Sequence, residues 1–257
     1  MTTFRELHRP GSPLVMPNPW DVGSARVLAT LGFAALATTS SGFAATLGKL
    51  DGEVGRDAAG AHAAELAGAV PVPVSADLEN GFADDPAGVA ATVEAAAATP
   101  LAGCSIEDRG PEGGYPADLA VERVAAAAKA KGGLVLTARA EAFLYPDADL
   151  AEVVARLQRF LEAGADVVYA PGLARPADIA TVVREVDVPV NVLLRPGGPR
   201  VAELADLGVA RISVGGAFAF ACLGALEKVA RRLLDGELPP WDDVAAGAKL
   251  ARRAFGS

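Results

Sequence analysis

Short apolar runs rich in β-branched residues alternate along the chain with alanine-rich stretches whose apolar positions recur at helical spacing. The short runs are Leu14–Asn18, Phe33–Thr39, Val72–Leu78, Gly103–Asp108, Leu134–Ala140, Ala165–Pro171, Val188–Leu194 and Arg211–Gly215. Several are apolar almost throughout, as parallel strands covered on both faces are. Between them, Asp57–Ala69, Pro86–Ala98, Leu119–Lys131, Leu150–Ala163, Pro176–Glu185 and Pro199–Leu207 read as helices. Pro86, Pro176 and Pro199 sit near the predicted starts, where a missing N–H costs little. Gly164 and Gly208 follow predicted ends, where a positive φ is wanted. Strict alternation of strand and helix predicts a parallel sheet. Eight such units favour closure into a (β/α)8 barrel. An open doubly wound sheet is the alternative, but no GxGxxG follows the first strand. Leu238-Pro-Pro-Trp241 breaks the pattern before a last helix, about 241–255, expected to pack on a neighbouring subunit.

A length of 257 residues suits one barrel, with a core of about 12–236. The 32 Asp and Glu outnumber the 23 Lys and Arg, giving a net charge of −9. That balance argues against nucleic acid and anionic membranes as partners, since both want clustered cations. Cys104 and Cys222 stand far apart in apolar runs and read as two buried, reduced thiols. The polar segment starting at Met1 has no secretory character, and no apolar stretch of spanning length is free of charges and turns, so the expected location is cytoplasmic.

In a barrel of this kind the chemistry lies at the C-terminal ends of the strands. The polar residues there are Asn18 and Asp21; Thr38 to Gly42; Asp77, Glu79 and Asn80; Glu107, Asp108 and Arg109; Arg139 and Glu141; Tyr169; Asn191 and Arg195. Each group has a plainer reading. Asp77 and Glu79 would serve in an Asx turn, Glu107-Asp108-Arg109 in a local ion pair, Arg139 with Glu141 in a structural salt bridge, and Ser40-Ser41-Gly42 in an ordinary turn. Together, so many carboxylates at one mouth would repel one another and stay partly protonated without a cation. An all-oxygen set selects Mg²⁺, with Mn²⁺ as a substitute, over zinc. His8 and His62 fall outside every strand end, and His62 reads as a surface residue of a helix.

At these residues the chain resembles the isocitrate lyase/phosphoenolpyruvate mutase superfamily. The motifs are Gly23-Ser-Ala-Arg-Val27, Thr39-Ser-Ser-Gly-Phe43, Leu47-Gly-Lys-Leu-Asp51, Asp77-Leu-Glu-Asn-Gly-Phe82, Ile106-Glu-Asp108, Thr137-Ala-Arg-Ala-Glu-Ala-Phe143 and Gly164-Ala-Asp166. Their order and spacing carry the resemblance. It implies a TIM-type barrel with its last helices exchanged within a dimer or tetramer. It implies Asp77 as the protein ligand nearest Mg²⁺, with Asp51, Glu79 and Glu107 acting through water. Ser41, Gly42 and Phe43 would offer backbone N–H groups to a substrate carboxylate, Arg139 would stabilise negative charge, and Asn191 is a further candidate substrate contact.

The sequence also departs from the family pattern. Isocitrate lyases carry a catalytic cysteine soon after Ile-Glu-Asp. Here Arg109-Gly-Pro-Glu-Gly-Gly-Tyr-Pro116 has no cysteine, histidine or lysine, and Cys104 lies on the wrong side. The lysine and asparagine of the mutases are missing there too, and the mutase histidine and serine align with Pro171 and Gly172. Tyr115 and Glu112 are the only proton carriers in this glycine-rich loop, which would suit a gate. The expected activity is Mg²⁺-dependent cleavage of a C–C bond in a small 2-oxo or 2-hydroxy carboxylate, by retro-aldol cleavage or decarboxylation. P–C chemistry on a phosphonopyruvate-like substrate, with Arg195 in the pocket, is one alternative. A non-catalytic oxo-acid binder is another.

Overall fold

Eight strands form where the apolar runs lie: β1 (Leu14–Met16), β2 (Leu36–Ala37), β3 (Val74–Asp77), β4 (Gly103–Glu107), β5 (Val135–Arg139), β6 (Val167–Tyr169), β7 (Val190–Leu193) and β8 (Arg211–Ser213). This is a computed structural model that describes residues 3–146 and 148–256, so Met1 and Thr2 of the polar N-terminal segment lie outside it. All eight strands are parallel, and β8 returns to pair with β1. Between β1 and β2 the Ala37 N–H donates to the Pro17 carbonyl at 3.1 Å, and Asn18 Nδ2 donates to the Thr38 carbonyl at 2.9 Å. The Asn18 side-chain oxygen also accepts from the Val214 and Gly215 N–H groups at 3.0 and 2.9 Å. One asparagine thus ties three strand ends together, and the fold is a nearly closed (β/α)8 barrel.

The strands are shorter than their apolar runs because the run ends leave the ladder to make turns. The helices are α1 (Val22–Thr30), α2 (Ser40–Thr46), α3 (Arg56–Ala69), α4 (Pro86–Ala97), α5 (Ala117–Ala130), α6 (Leu150–Glu162), α7 (Pro176–Glu185), α8 (Val201–Asp206), α9 (Ala217–Leu234) and α10 (Trp241–Phe255). Local chemistry sets their starts. Asp21 and Ser24 exchange hydrogen bonds in a capping box on α1, while Asp85 and Asp149 cap α4 and α6. Pro199 does not open α8, which starts at Val201 after Arg200.

The main core fills the space between strands and helices, with Leu66, Val89, Leu136, Phe160, Ile179 and Ile212 all buried. A second cluster of Phe4, Leu14, Met16, Ala35, Val135 and Val167 closes the N-terminal end of the barrel.

Two expectations fail. Cys104 is buried, but Cys222 is exposed because it lies on α9, whose apolar residues Phe220, Leu223, Leu226 and Leu234 meet no covering layer in this chain. His62 is buried at 8% exposure, one helical turn from Leu66 on the inward face of α3. No helix among the described residues is long and apolar enough to cross a membrane.

Candidate active site

The carboxylates of β3, β4 and β5 meet around one guanidinium. Arg139 ends β5, and its Nη1 lies 2.9 Å from Asp77 Oδ1, its Nη2 3.0 Å from Glu107 Oε2 and its Nε 2.8 Å from Glu141 Oε1. A cavity of about 1140 Å³ opens above it, lined by Asp51, Glu79, Asn80, Glu107, Arg109, Arg139, Glu141 and Tyr145 among others. A second cavity, about 550 Å³, lies beyond Arg109 and Tyr145 and touches none of Glu79, Glu107 or Arg139, while Asp77 lines neither of these two and borders a small cavity shared with Glu79. The larger one is therefore the candidate site.

Backbone geometry aims these groups. Glu79 sits at φ 48° and Phe82 at φ 54°, a region that costs a side-chain-bearing residue about 1 kcal/mol or more. The turn is pinned at several points. The Glu79 carbonyl accepts from the Glu107 N–H at 2.9 Å, and the Gly81 N–H donates to the Leu78 carbonyl at 2.7 Å. Arg123, one of the most deeply buried side chains, donates to the Asn80, Ala83 and Asp84 carbonyls. Such strain at a carboxylate facing a cavity points to function rather than packing.

The electrostatics are those of an acidic site short of positive charge. Burial, then Asp77 and Asp51, push the Glu79 pKa up to about 7 against the pull of Arg139. Burial also raises Glu107, with Glu141, Asp77 and Glu79 adding to it and Arg139 opposing. Arg139 stays charged: burial disfavours its cation, but Glu141, Glu107 and Asp77 outweigh that. The ion pair between Arg139 and Glu107 and the raised Glu107 pKa pull in opposite directions. Asp77, Glu107 and Glu141 share one guanidinium with Glu79 nearby, so the cluster favours uptake of protons or a cation. An oxygen-only donor set facing an open cavity fits a hard divalent ion. Among the described residues no three acidic, imidazole or thiol groups close into a ready-made cage.

Not every expected residue faces the cavity. Ser41 lies in the capped first turn of α2, with its Oγ 3.2 Å from Thr39 Oγ1. The Gly42 N–H donates to Thr39 Oγ1 at 3.3 Å and the Phe43 N–H to the Thr39 carbonyl at 3.0 Å, so the helix start already engages both donors. Gly42 is required there, since a Cβ would lie 2.5 Å from Thr39 Cγ2. The Ser40 N–H donates to Asp77 Oδ2 at 3.3 Å. Phe43 stacks on His62. Asn191 is buried at 2% exposure inside the barrel, accepting from Arg211 Nε at 2.9 Å and donating to Ser213 Oγ at 3.1 Å. Arg195 is exposed and does not line the cavity.

The loop after β4 is a short antiparallel hairpin, Arg109–Gly110 against Gly113–Gly114, rather than an irregular segment. The Tyr115 hydroxyl donates to Asp84 at 2.5 Å and accepts from Asn80 at 2.8 Å, with Arg123 over its ring. It therefore ties the hairpin to the Glu79 turn and does not line the cavity, and Glu112 is exposed. The plainer reading of Glu107-Asp108-Arg109 as a local ion pair does not hold among the described residues. Asp108 binds Arg156 and the Glu141 N–H, while Arg109 stacks on Tyr145 at 3.5 Å.

Glu141 belongs to the site and was legible as the third residue of Arg139-Ala-Glu141. Arg123 had one signal, its place on the apolar face of α5 with Ala120, Val124 and Ala127. Tyr145 had none, because only the turn after β5 brings it to Arg109.

Fold and site together define a (β/α)8 barrel with an acidic mouth built on one arginine. The phosphoenolpyruvate phosphomutase family model matches residues 4–234. An uncharacterised protein of Mycobacterium tuberculosis is 36% identical over 93% of this chain and 91% of its own. A solved Burkholderia cenocepacia structure, assigned as a lyase or mutase, is 45% identical with a TM-score of 0.93, covering 99% of this chain and 95% of that one. The structure of 2,3-dimethylmalate lyase is 28% identical with a TM-score of 0.85, covering 96% and 90%. The chain belongs to the phosphoenolpyruvate mutase family, within the phosphoenolpyruvate mutase/isocitrate lyase superfamily.

Proposed function

We propose that this protein is a Mg²⁺-dependent lyase that cleaves a C–C bond of a small 2-oxo or 2-hydroxy carboxylate. The observation that carries the reading is Arg139 held between Asp77, Glu107 and Glu141 at the floor of an acidic cavity. Asp77 would hold the ion directly, with Asp51, Glu79 and Glu107 acting through water. An ion held there would supply fixed positive charge to the bound carboxylate. Arg139 faces the oxygen on which negative charge grows as the bond to C3 breaks, and its fork is oriented in advance by three carboxylates. Burial raises the Glu107 carboxyl against the pull of Arg139, which makes it the proton carrier of this scheme beside Arg139 Nη2. Tyr115 acts as a positioning group in this scheme, and Asn191 as a structural one.

The test is a screen of oxaloacetate, phosphonopyruvate, 2-methylisocitrate and substituted malates with Mg²⁺, reading release of a 2-oxo acid. Turnover of a carbon substrate should vanish with a chelator and in Asp77→Ala. An Asp77→Ala enzyme matching wild type in turnover and metal binding would sink the site. The family model favours a second reading, P–C chemistry, which turnover of phosphonopyruvate alone would establish. Tight oxo-acid binding without product under any divalent metal would establish a non-catalytic binder. We also propose a homo-oligomer, dimer or tetramer, in which another copy covers the apolar face of α9 by helix exchange. Light scattering that returns a monomer mass at micromolar concentration excludes it.

A further inference from the structure

His62 is a histidine that the proposed reaction does not use. Its ring lies flat on Phe43, with centroids 3.7 Å apart and planes 4° apart. Burial pushes its pKa down to about 4, although Asp21 pulls the other way, so the ring is neutral. Nε2 is enclosed, and none of the described residues offers it a hydrogen-bond partner. Leaving such an atom without a partner is destabilising. His62 also lines a small cavity of about 10 Å³, whose polar wall is Thr39, Ser40, Asp77 and Glu79. That volume admits the centre of one water molecule, and the wall offers the two to four polar partners a buried water needs.

We propose that His62 is a positioning residue for the Asp77 and Glu79 carboxylates, acting through one buried water held between its Nε2 and that acidic pair. The inference rests on the reading of Asp77 and Glu79 as the metal side of the site. Either ring tautomer satisfies the bridge. A water can donate to Nε2 and to a carboxylate, or accept from Nε2–H and donate to carboxylates. The stack on Phe43 fixes where Nε2 stands, and the pinned left-handed turn fixes the Glu79 backbone. The side chain of Glu79 is then held from two sides, by its own turn and by the water. Groups that orient a metal's ligands in this way typically change metal affinity by about 10–100-fold when removed.

The experiment measures Mn²⁺ affinity directly, by electron paramagnetic resonance of the free ion, in wild type, His62→Phe, His62→Gln and Asp77→Asn. Circular dichroism checks folding of each. His62→Phe keeps an aromatic ring against Phe43 and removes Nε2; His62→Gln restores a polar end. The expected result is affinity at least about tenfold weaker in His62→Phe and largely restored in His62→Gln. Wild-type affinity in folded His62→Phe overturns the proposal. So does equal weakening in both variants, which would assign His62 to packing alone. Mn²⁺ binding unchanged in Asp77→Asn defeats the metal-site reading itself, and this inference with it. If His62→Phe does not fold, a high-resolution crystal structure of the wild type decides. Electron density for a water within about 3 Å of both Nε2 and a carboxylate oxygen supports the bridge, and its absence overturns it.

Discussion

The β4–β5 side of the barrel and the β7–β8 side carry polar residues on one register line, yet only the first meets the cavity. Glu107 pairs with Arg139, Arg139 with Tyr169, Tyr169 with Asn191, and Asn191 with Arg211. At one end of this line Glu107 and Arg139 face about 1140 Å³ of open space. At the other, Arg211 is sealed at 4% exposure, with Asn191 on one side and His8 Nε2 3.4 Å away on the other. Strands tilted against a barrel axis explain the descent: neighbours in register step from the mouth toward the N-terminal end as the line goes round. Polar character near a strand end therefore does not place a residue at the mouth. Asn191 is the second residue of β7, and its side chain is engaged inside the barrel.

The comparison can be broken at the mouth first. Arg139→Lys keeps the charge but loses the planar fork that spans three carboxylates. Turnover should fall roughly 100-fold or more, as when an oriented donor to a developing oxyanion is removed. A steady-state loss below about threefold would show that Arg139 serves structure alone. On the sealed side, Asn191→Leu strands the Arg211 guanidinium without its acceptor. Urea unfolding should show about 3 kcal/mol of lost stability with KM nearly unchanged. A large rise in KM at wild-type stability would make Asn191 a substrate contact again. The smallest effect belongs to the hairpin. Tyr115→Phe removes the hydroxyl that joins Asp84 to Asn80, which should cost about 1 kcal/mol of stability and less than about tenfold in kcat/KM. Both limbs of the pH–rate profile should persist, and loss of one would identify Tyr115 as the proton carrier after all.

Much of the mouth was legible in the amino-acid sequence. Asp77, Glu79, Glu107 and Arg139 stand at the ends of apolar runs, and that rule alone brought them together. The resemblance, not that rule, proposed Gly42 and Phe43 as donors, and their N–H groups complete the start of α2; Tyr115, singled out as a proton carrier of its loop, has its hydroxyl on Asp84 and Asn80. His62 was misread as well. A single histidine in an alanine-rich helix reads as surface, and only the packing of α3 against the loop after β2 turns its ring onto Phe43.

The sequence by itself determined the alternation of strand and helix, the parallel sheet and the acidic character of the mouth. These follow from apolar periodicity, capping residues and charge, which act over a few neighbouring residues. Only the tertiary structure decided which polar side chains share space. That outcome depends on strand tilt, on register around the barrel and on the left-handed turn at Glu79, all set by contacts between segments far apart in the chain. Arg139 shows the division most directly. Its place at the end of an apolar run was local information, while two of its three carboxylate partners, Asp77 and Glu107, come from other stretches of chain that lateral strand pairing sets beside β5.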